Sequence, residues 1–147
     1  MADKWITYDS NGWKVELSLS LLGEMRTDRD KALPNETGGV LIGAYDIARK
    51  RIYVVCQVRA PEDSVSSPTS FIRGCANLPE RLKYIHETTL DNLTYIGEWH
   101  SHPSANTQRS TDDVKLHNAI VGYNRENCLP DCMMILGTGS FSIFIDE

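Results

Sequence analysis

Apolar positions along the chain change their period several times, and each change marks an element. Trp5 to Tyr8 and Trp13 to Leu17 flank Ser10-Asn11-Gly12, which predicts two short strands joined by a tight turn. From about Ser18 to Ala32, good helix formers place Leu21, Leu22 and Met25 at helical spacing, and Pro34 closes that helix. Val40 to Tyr45 reads as a buried strand, and Arg51 to Arg59 as another, rich in β-branched residues. The serine-bearing stretch from Pro61 to Pro68 reads as a loop, followed by a short strand over Ser70 to Arg73. A helix is predicted from Pro79 to Leu93, with proline in its first turn and Leu82, Ile85 and Leu90 as its apolar face. Leu93 to His102 is then a strand, and Ser110 to Tyr123 a helix. Cys132 to Leu136 and Phe141 to Ile145 form a closing hairpin around Gly137-Thr138-Gly139-Ser140. This mixture predicts an α/β sandwich: a curved, partly antiparallel sheet with helices packed on it.

Composition adds bounds rather than identity. At 147 residues the chain is expected to form one domain, residues 1–147, large enough to bury a core. Fifteen basic and twenty acidic residues are interspersed, giving a net charge of -5 without any Lys/Arg-rich run. Neither a nucleic-acid groove nor a membrane-binding face is therefore expected. Met1 to Trp5 lacks the charged-then-apolar order of a signal peptide, and no apolar run approaches membrane-spanning length. With no secretory signal, the four cysteines (Cys56, Cys75, Cys128, Cys132) read as reduced thiols, Cys56 in the core, and the location as cytoplasmic.

Candidate chemistry concentrates near Glu98-Trp99-His100-Ser101-His102-Pro103. Histidines at i and i+2 of a strand project from one face, so their imidazoles can converge on one ion. Pro103 ends the strand because it has no N–H for the ladder. Asp113, in the first turn of the following helix, can supply a third ligand; two histidines, a carboxylate and an open position make the composition of a catalytic zinc site, which points to hydrolysis. Ser110-Thr111-Asp112-Asp113 also has the form of a capping box, needed for helix geometry alone, and the two roles are compatible. Glu36 precedes Thr37-Gly38-Gly39 and a strand, where it can equally be a solvated turn residue. Trp99 should face the core opposite His100, while Glu98 shares the histidine face. Asp112 should point away, His117 is assigned to packing or surface, and His86 has no role.

Taken together, Glu36, His100-x-His102-Pro103 and Ser110-x-x-Asp113 resemble the JAMM (JAB/MPN) zinc-metalloprotease pattern, without departure from it, and the resemblance covers most of the chain. It implies an α/β (α+β) fold: a curved, mixed, largely antiparallel sheet flanked by helices, similar to JAB/MPN and cytidine deaminase-like sandwiches. His100, His102 and Asp113 would bind Zn²⁺ and leave a position for water, whose pKa zinc lowers toward ~7. Glu36 would act as general base and pass the proton to the leaving amine. Ser110 would donate to the oxyanion. Gly38 and Gly39 would let backbone pass close to the site. Hydrolysis of a peptide or isopeptide bond follows.

The compact length is similar to that of stand-alone bacterial members, such as the deconjugating peptidases of antiphage operons (CBASS and related systems). On that resemblance, the partner is a ubiquitin-like protein or a conjugated protein, cleaved after an extended C-terminal tail, with activating and conjugating enzymes encoded nearby. Such a tail is expected to add to an exposed strand edge, for which residues Ser64 to Ala76 are the candidate; an ordinary surface loop is the alternative. Three rivals stay open: a RadC-like protein, a non-proteolytic scaffold of the same fold, and a metal-dependent nuclease or cupin-like protein. The complete ligand set argues against the second, and the spacing and number of histidines against the third.

Overall fold

A computed structural model describes residues 2–115 and 129–147. The first hairpin pairs β1 (Trp5–Ser10) with β2 (Trp13–Ser18) through Asn11 and Gly12, both at positive φ. Two such residues give the primed turn whose twist suits a two-residue hairpin. Ser18 then caps α1 (Leu19–Ala32), its hydroxyl accepting from the Leu21 amide. Strands β3 (Gly38–Asp46) and β4 (Arg51–Arg59) follow.

The stretch expected to be an unstructured loop contains a strand, β5 (Val65–Ser66), which pairs with β6 (Phe71–Ile72) in a separate two-stranded ribbon. Helix α2 (Leu78–Thr88) ends five residues before the predicted Leu93. Thr88 and Thr89 donate their hydroxyls back to the carbonyls of Tyr84 and Ile85, and Leu90 and Asp91 turn left-handed. Leu90, expected on the apolar face, is exposed. After β7 (Thr94–Ser101), residues 111–115 begin the expected helix; the remainder of that prediction, with His117 and Cys128, lies outside the described residues. The chain closes with β8 (Asp131–Leu136) and β9 (Phe141–Asp146).

Among the described residues, the main sheet has seven strands in the order β1-β2-β4-β3-β7-β8-β9. Only the β2–β4 and β7–β8 pairings are parallel, so the sheet is mixed and largely antiparallel, as expected. Its outer strands approach one another: Asn11 donates to the Ile145 carbonyl at 2.9 Å, and the tilted rings of Tyr8 and Phe141 lie 5.6 Å apart. The sheet therefore curls nearly closed. Alternation sends Leu41 into the cluster under α1, with Leu21, Leu22, Met25 and Trp99, while Val40 and Ile42 pack on the opposite face against α2. Cys56 packs, half-buried, on this second cluster. β7 lies between β3 and β8 in the middle of this framework, so the histidines sit on a strand supported from both sides.

Candidate metal centre

Register explains how a glutamate far upstream meets the histidine motif. Gly38 of β3 faces His100 of β7 across an antiparallel ladder. Continuing outward brings Thr37 to Ser101, where the Ser101 amide donates to the Thr37 carbonyl at 2.8 Å and the Thr37 amide to Ser101 Oγ at 2.9 Å. The next step sets Glu36 opposite His102, and their Oε1 and Nε2 atoms lie 3.9 Å apart. Glu36, His100 and His102 are all buried, and ligand atoms from the three lie within 4.8 Å of one another.

Asp113 reaches the same point from the following helical turn. Its Oδ1 is 2.8 Å from His100 Nε2 and its Oδ2 is 3.3 Å from His102 Nε2. The capping box forms reciprocally: Ser110 N–H donates to Asp113 Oδ2 at 2.7 Å, and Asp113 N–H to Ser110 Oγ at 3.1 Å. The cap thus aims the carboxylate at the histidines. Because Ser110 Oγ accepts here, its own proton is left to donate elsewhere.

The donor set fits a cation. His102 Nδ1 lies 2.8 Å from the Asn106 carbonyl, which can only accept, so Nδ1 carries the hydrogen. In neutral imidazole, Nε2 then presents a lone pair toward the Asp113 carboxylate. His100 Nε2 is close to Asp113 but poorly aligned, and among the described residues it is a buried nitrogen without a hydrogen-bond partner. Nitrogens of two imidazole rings and a carboxylate converging in a buried space need a proton or a metal ion between them.

Electrostatics sort the two carboxylates. Burial works to raise the Asp113 carboxyl, but the two histidines and the Ser110 amide outweigh it and hold the group well below the usual range. Burial pushes Glu36 up, opposed by both histidines and reinforced by Asp113. His102 is raised, chiefly by Asp113. One carboxylate is thus held as an anion and the other made a better proton acceptor.

The ribbon flanks this centre. Phe71 packs over Gly38, where a Cβ would come within 2.8 Å of Phe71 Cε1 and 2.3 Å of the Trp99 carbonyl. Glu98, on the histidine face as expected, accepts from Tyr95 Oη at 3.0 Å and pairs with Arg73 of the segment carrying β6. A groove of about 440 Å³ runs between Ser70–Arg73 and Ser110–Asp113. A cavity of about 470 Å³ between Arg59 and Arg81 contains none of these groups. Trp99 is buried on the opposite face, its indole donating to Gln57 Oε1 at 2.9 Å, and Asp112 is exposed. His86 pairs at 3.0 Å with Asp91 at the far end of α2. The signals missed in the sequence are backbone acceptors and a helix residue: the Asn106 carbonyl at His102 Nδ1, the Ser67 carbonyl that accepts from the Glu36 amide, and Arg29 of α1, which donates to the His102 carbonyl, carry no motif.

Comparison with known proteins agrees with the geometry. Residues 18–144 match the family described as prokaryotic homologs of the JAB domain. A CD-NTase/cGAS isopeptidase of Enterobacter hormaechei subsp. hoffmannii is 34% identical over 148 residues, covering 97% of this chain and 81% of that protein. A solution structure from Desulfitobacterium hafniense superposes with a TM-score of 0.58 at 21% identity, over 88% of this chain and 82% of that one. A JAB1/MPN domain protein from Archaeoglobus fulgidus gives 0.49 at 18% identity, over 86% and 90% of the respective chains.

Proposed function

The chain belongs to the prokaryotic JAB-domain family, and on that premise we propose that it is a zinc-dependent isopeptidase which removes a ubiquitin-like protein, or a conjugated protein, at its C-terminal tail. The observation that carries this reading is the 2.8 Å contact between His102 Nδ1 and the Asn106 carbonyl. With Nδ1–H held by the Asn106 carbonyl, Nε2 is the nitrogen turned toward Asp113, which suits metal ligation by His100, His102 and Asp113. Zinc in this ligand set supplies a Lewis acid and an acidified water.

The remaining work falls to two side chains. Glu36, whose Oε1 lies 3.9 Å from His102 Nε2, takes the proton of the attacking water and passes it to the departing amine. Its burial favours the role, since a raised carboxyl binds that proton better. Ser110 donates its free hydroxyl proton to the oxygen that gains charge as the carbonyl is attacked.

The substrate tail adds to the free edge of β6. Phe71 faces Ser66 across the ribbon, while the neighbouring Ser67 amide bonds the Ser70 carbonyl. Ladder alternation then turns the Phe71 N–H and C=O outward, toward the groove beside Ser110. The named isopeptidase relative supports a conjugated protein as substrate. A place in antiphage defence, beside activating and conjugating enzymes in the cytoplasm, extends the same reading. No helix among the described residues is long and apolar enough to cross a membrane.

The test is Glu36→Gln, assayed on a ubiquitin-like fusion with products read by mass and zinc by elemental analysis. Zinc content at the wild-type level with hydrolysis abolished is expected; full activity in this variant overturns the mechanism.

A further inference from the structure

We infer that Arg29, on α1, is a positioning residue for the metal ligand His102. The inference rests on the zinc reading above and extends it to a side chain outside the ligand motif. Arg29 is buried at 7% exposure, near the end of a helix otherwise buried through Leu21, Leu22 and Met25. Its Nε donates to the His102 carbonyl at 3.2 Å. Its Nη2 donates to the Pro103 carbonyl at 3.1 Å and to Thr138 Oγ1 at 2.7 Å. One guanidinium therefore grips two successive carbonyls of the ligand segment and the β8–β9 turn.

The grip falls where the ladder stops. β7 ends at Ser101, so His102 lies one residue beyond the strand. Its amide still donates to the Leu136 carbonyl at 2.9 Å, but Pro103 offers no N–H to continue. Beyond the end of the ladder, the carbonyls of His102 and Pro103 need donors from outside the sheet. Arg29 supplies them. From the other direction, the Asn106 carbonyl orients the ring, so the backbone and imidazole of His102 are fixed from two sides.

Helix packing alone does not call for this arginine. Its one ion pair among the described residues, to Asp30 at 3.4 Å, involves a carboxylate that is 70% exposed, so it contributes little. Met25, one turn earlier on the same face, anchors α1 with no charge at all. A buried guanidinium is kept where its planar fork must hold several acceptors at fixed angles, a task lysine cannot copy.

The experiment measures zinc affinity against a chelator of known strength, together with the visible d–d spectrum of the cobalt-loaded protein, in Arg29→Lys. A fall in affinity of about 10–100-fold is expected, the usual consequence of losing a group that orients a ligand, with a shifted cobalt spectrum. Leu22→Ala, which loosens the same helix without touching the ligand segment, is the control and should lower Tm while leaving affinity and spectrum unchanged. Should Arg29→Lys not fold, Thr138→Val carries the test, with a smaller loss of affinity and a spectral shift expected. Unchanged affinity and spectrum in the folded variant, or equal losses in Leu22→Ala, overturn the positioning role alone. Wild-type protein that takes up no zinc overturns the metal site as well.

Discussion

The backbone N–H of Glu36 donates to the carbonyl of Ser67 at 2.9 Å. This bond ties the residue leading into β3 to the turn between β5 and β6. A second tie joins Arg73, just after β6, to Glu98 on the histidine strand. The ribbon is therefore fastened to the centre on both sides of the edge proposed to receive the tail. A tail bound at that edge would pull, through Ser67, on the backbone of Glu36, the proposed general base.

Deleting Ser66 to Thr69 should then affect more than binding. Zinc content is expected to stay at the wild-type level, because no ligand lies in the ribbon. KM for a conjugate should rise from loss of the β6 edge, and kcat should fall because Glu36 loses its anchor. Steady-state kinetics separates the two. Unchanged cleavage would rule out the ribbon as the tail site, and a change in KM alone would leave Ser67 without influence on the base.

Gly38→Ala tests the close approach between β3 and β7. The added Cβ would lie 2.3 Å from the Trp99 carbonyl and 3.0 Å from His100 Cβ. A backbone oxygen in a central ladder cannot swing aside as a flexible side chain can. The cost expected for such overpacking is about 1–3 kcal/mol. For a domain of this size, each kcal/mol corresponds to roughly 2–4 °C in Tm. A melting curve indistinguishable from wild type contradicts the β3–β7 register on which the Glu36–His102 meeting depends.

How much of this was legible in the sequence varies with the range of the interaction. The histidine pair, the capping box at Ser110 and Asp113, and the burial of Trp99 follow from local periodicity, and all three are present. The Glu36–His102 proximity is a matter of register between strands far apart in the chain, which periodicity does not encode; the motif resemblance suggested it instead. α2 was overextended because Leu90 continues its apolar spacing, while the stop comes from Thr88 and Thr89 hydroxyls competing for helix carbonyls. β5 lies within the proline- and serine-bearing stretch from Pro61 to Pro68, whose composition reads as loop and masks a two-residue strand. Arg29 stayed hidden since its partners in the ligand segment are main-chain oxygens, which every residue has.

Removing the metal should lower stability by a predictable route. An ion that binds the folded centre but not the unfolded chain stabilises by mass action, about 4.1 kcal/mol when free metal is a thousandfold above Kd. Tm is expected to fall on chelation, to recover with added zinc, and to rise further with zinc concentration. His100→Ala should melt at the same temperature with and without zinc. A wild-type Tm indifferent to chelator would count against zinc as the resident ion.

Asp63 provides a pH-dependent check on how the ribbon is held. Its carboxylate accepts from the Ala76 amide at 2.9 Å and the Cys75 amide at 3.1 Å, closing the base of the segment that carries β5 and β6. These amides, Ala76 foremost, hold the carboxyl below its ordinary value of 3.8. The folded value is depressed, so the stabilisation is complete above 3.8 and is lost as pH falls through the lower folded value. Closure should therefore be intact at neutral pH and should fail only in strong acid. The amide proton shifts of Cys75 and Ala76, followed by NMR, are expected to titrate with a midpoint below 3.8; a midpoint at or above it removes the carboxylate from its role. At neutral pH, Asp63→Ala should raise KM for a conjugate while zinc affinity stays unchanged, because the loosened ribbon presents the β6 edge poorly but touches no ligand. A fall in zinc affinity instead would show that the ribbon supports the metal centre itself, through Ser67 and Glu36, rather than only the tail beside it.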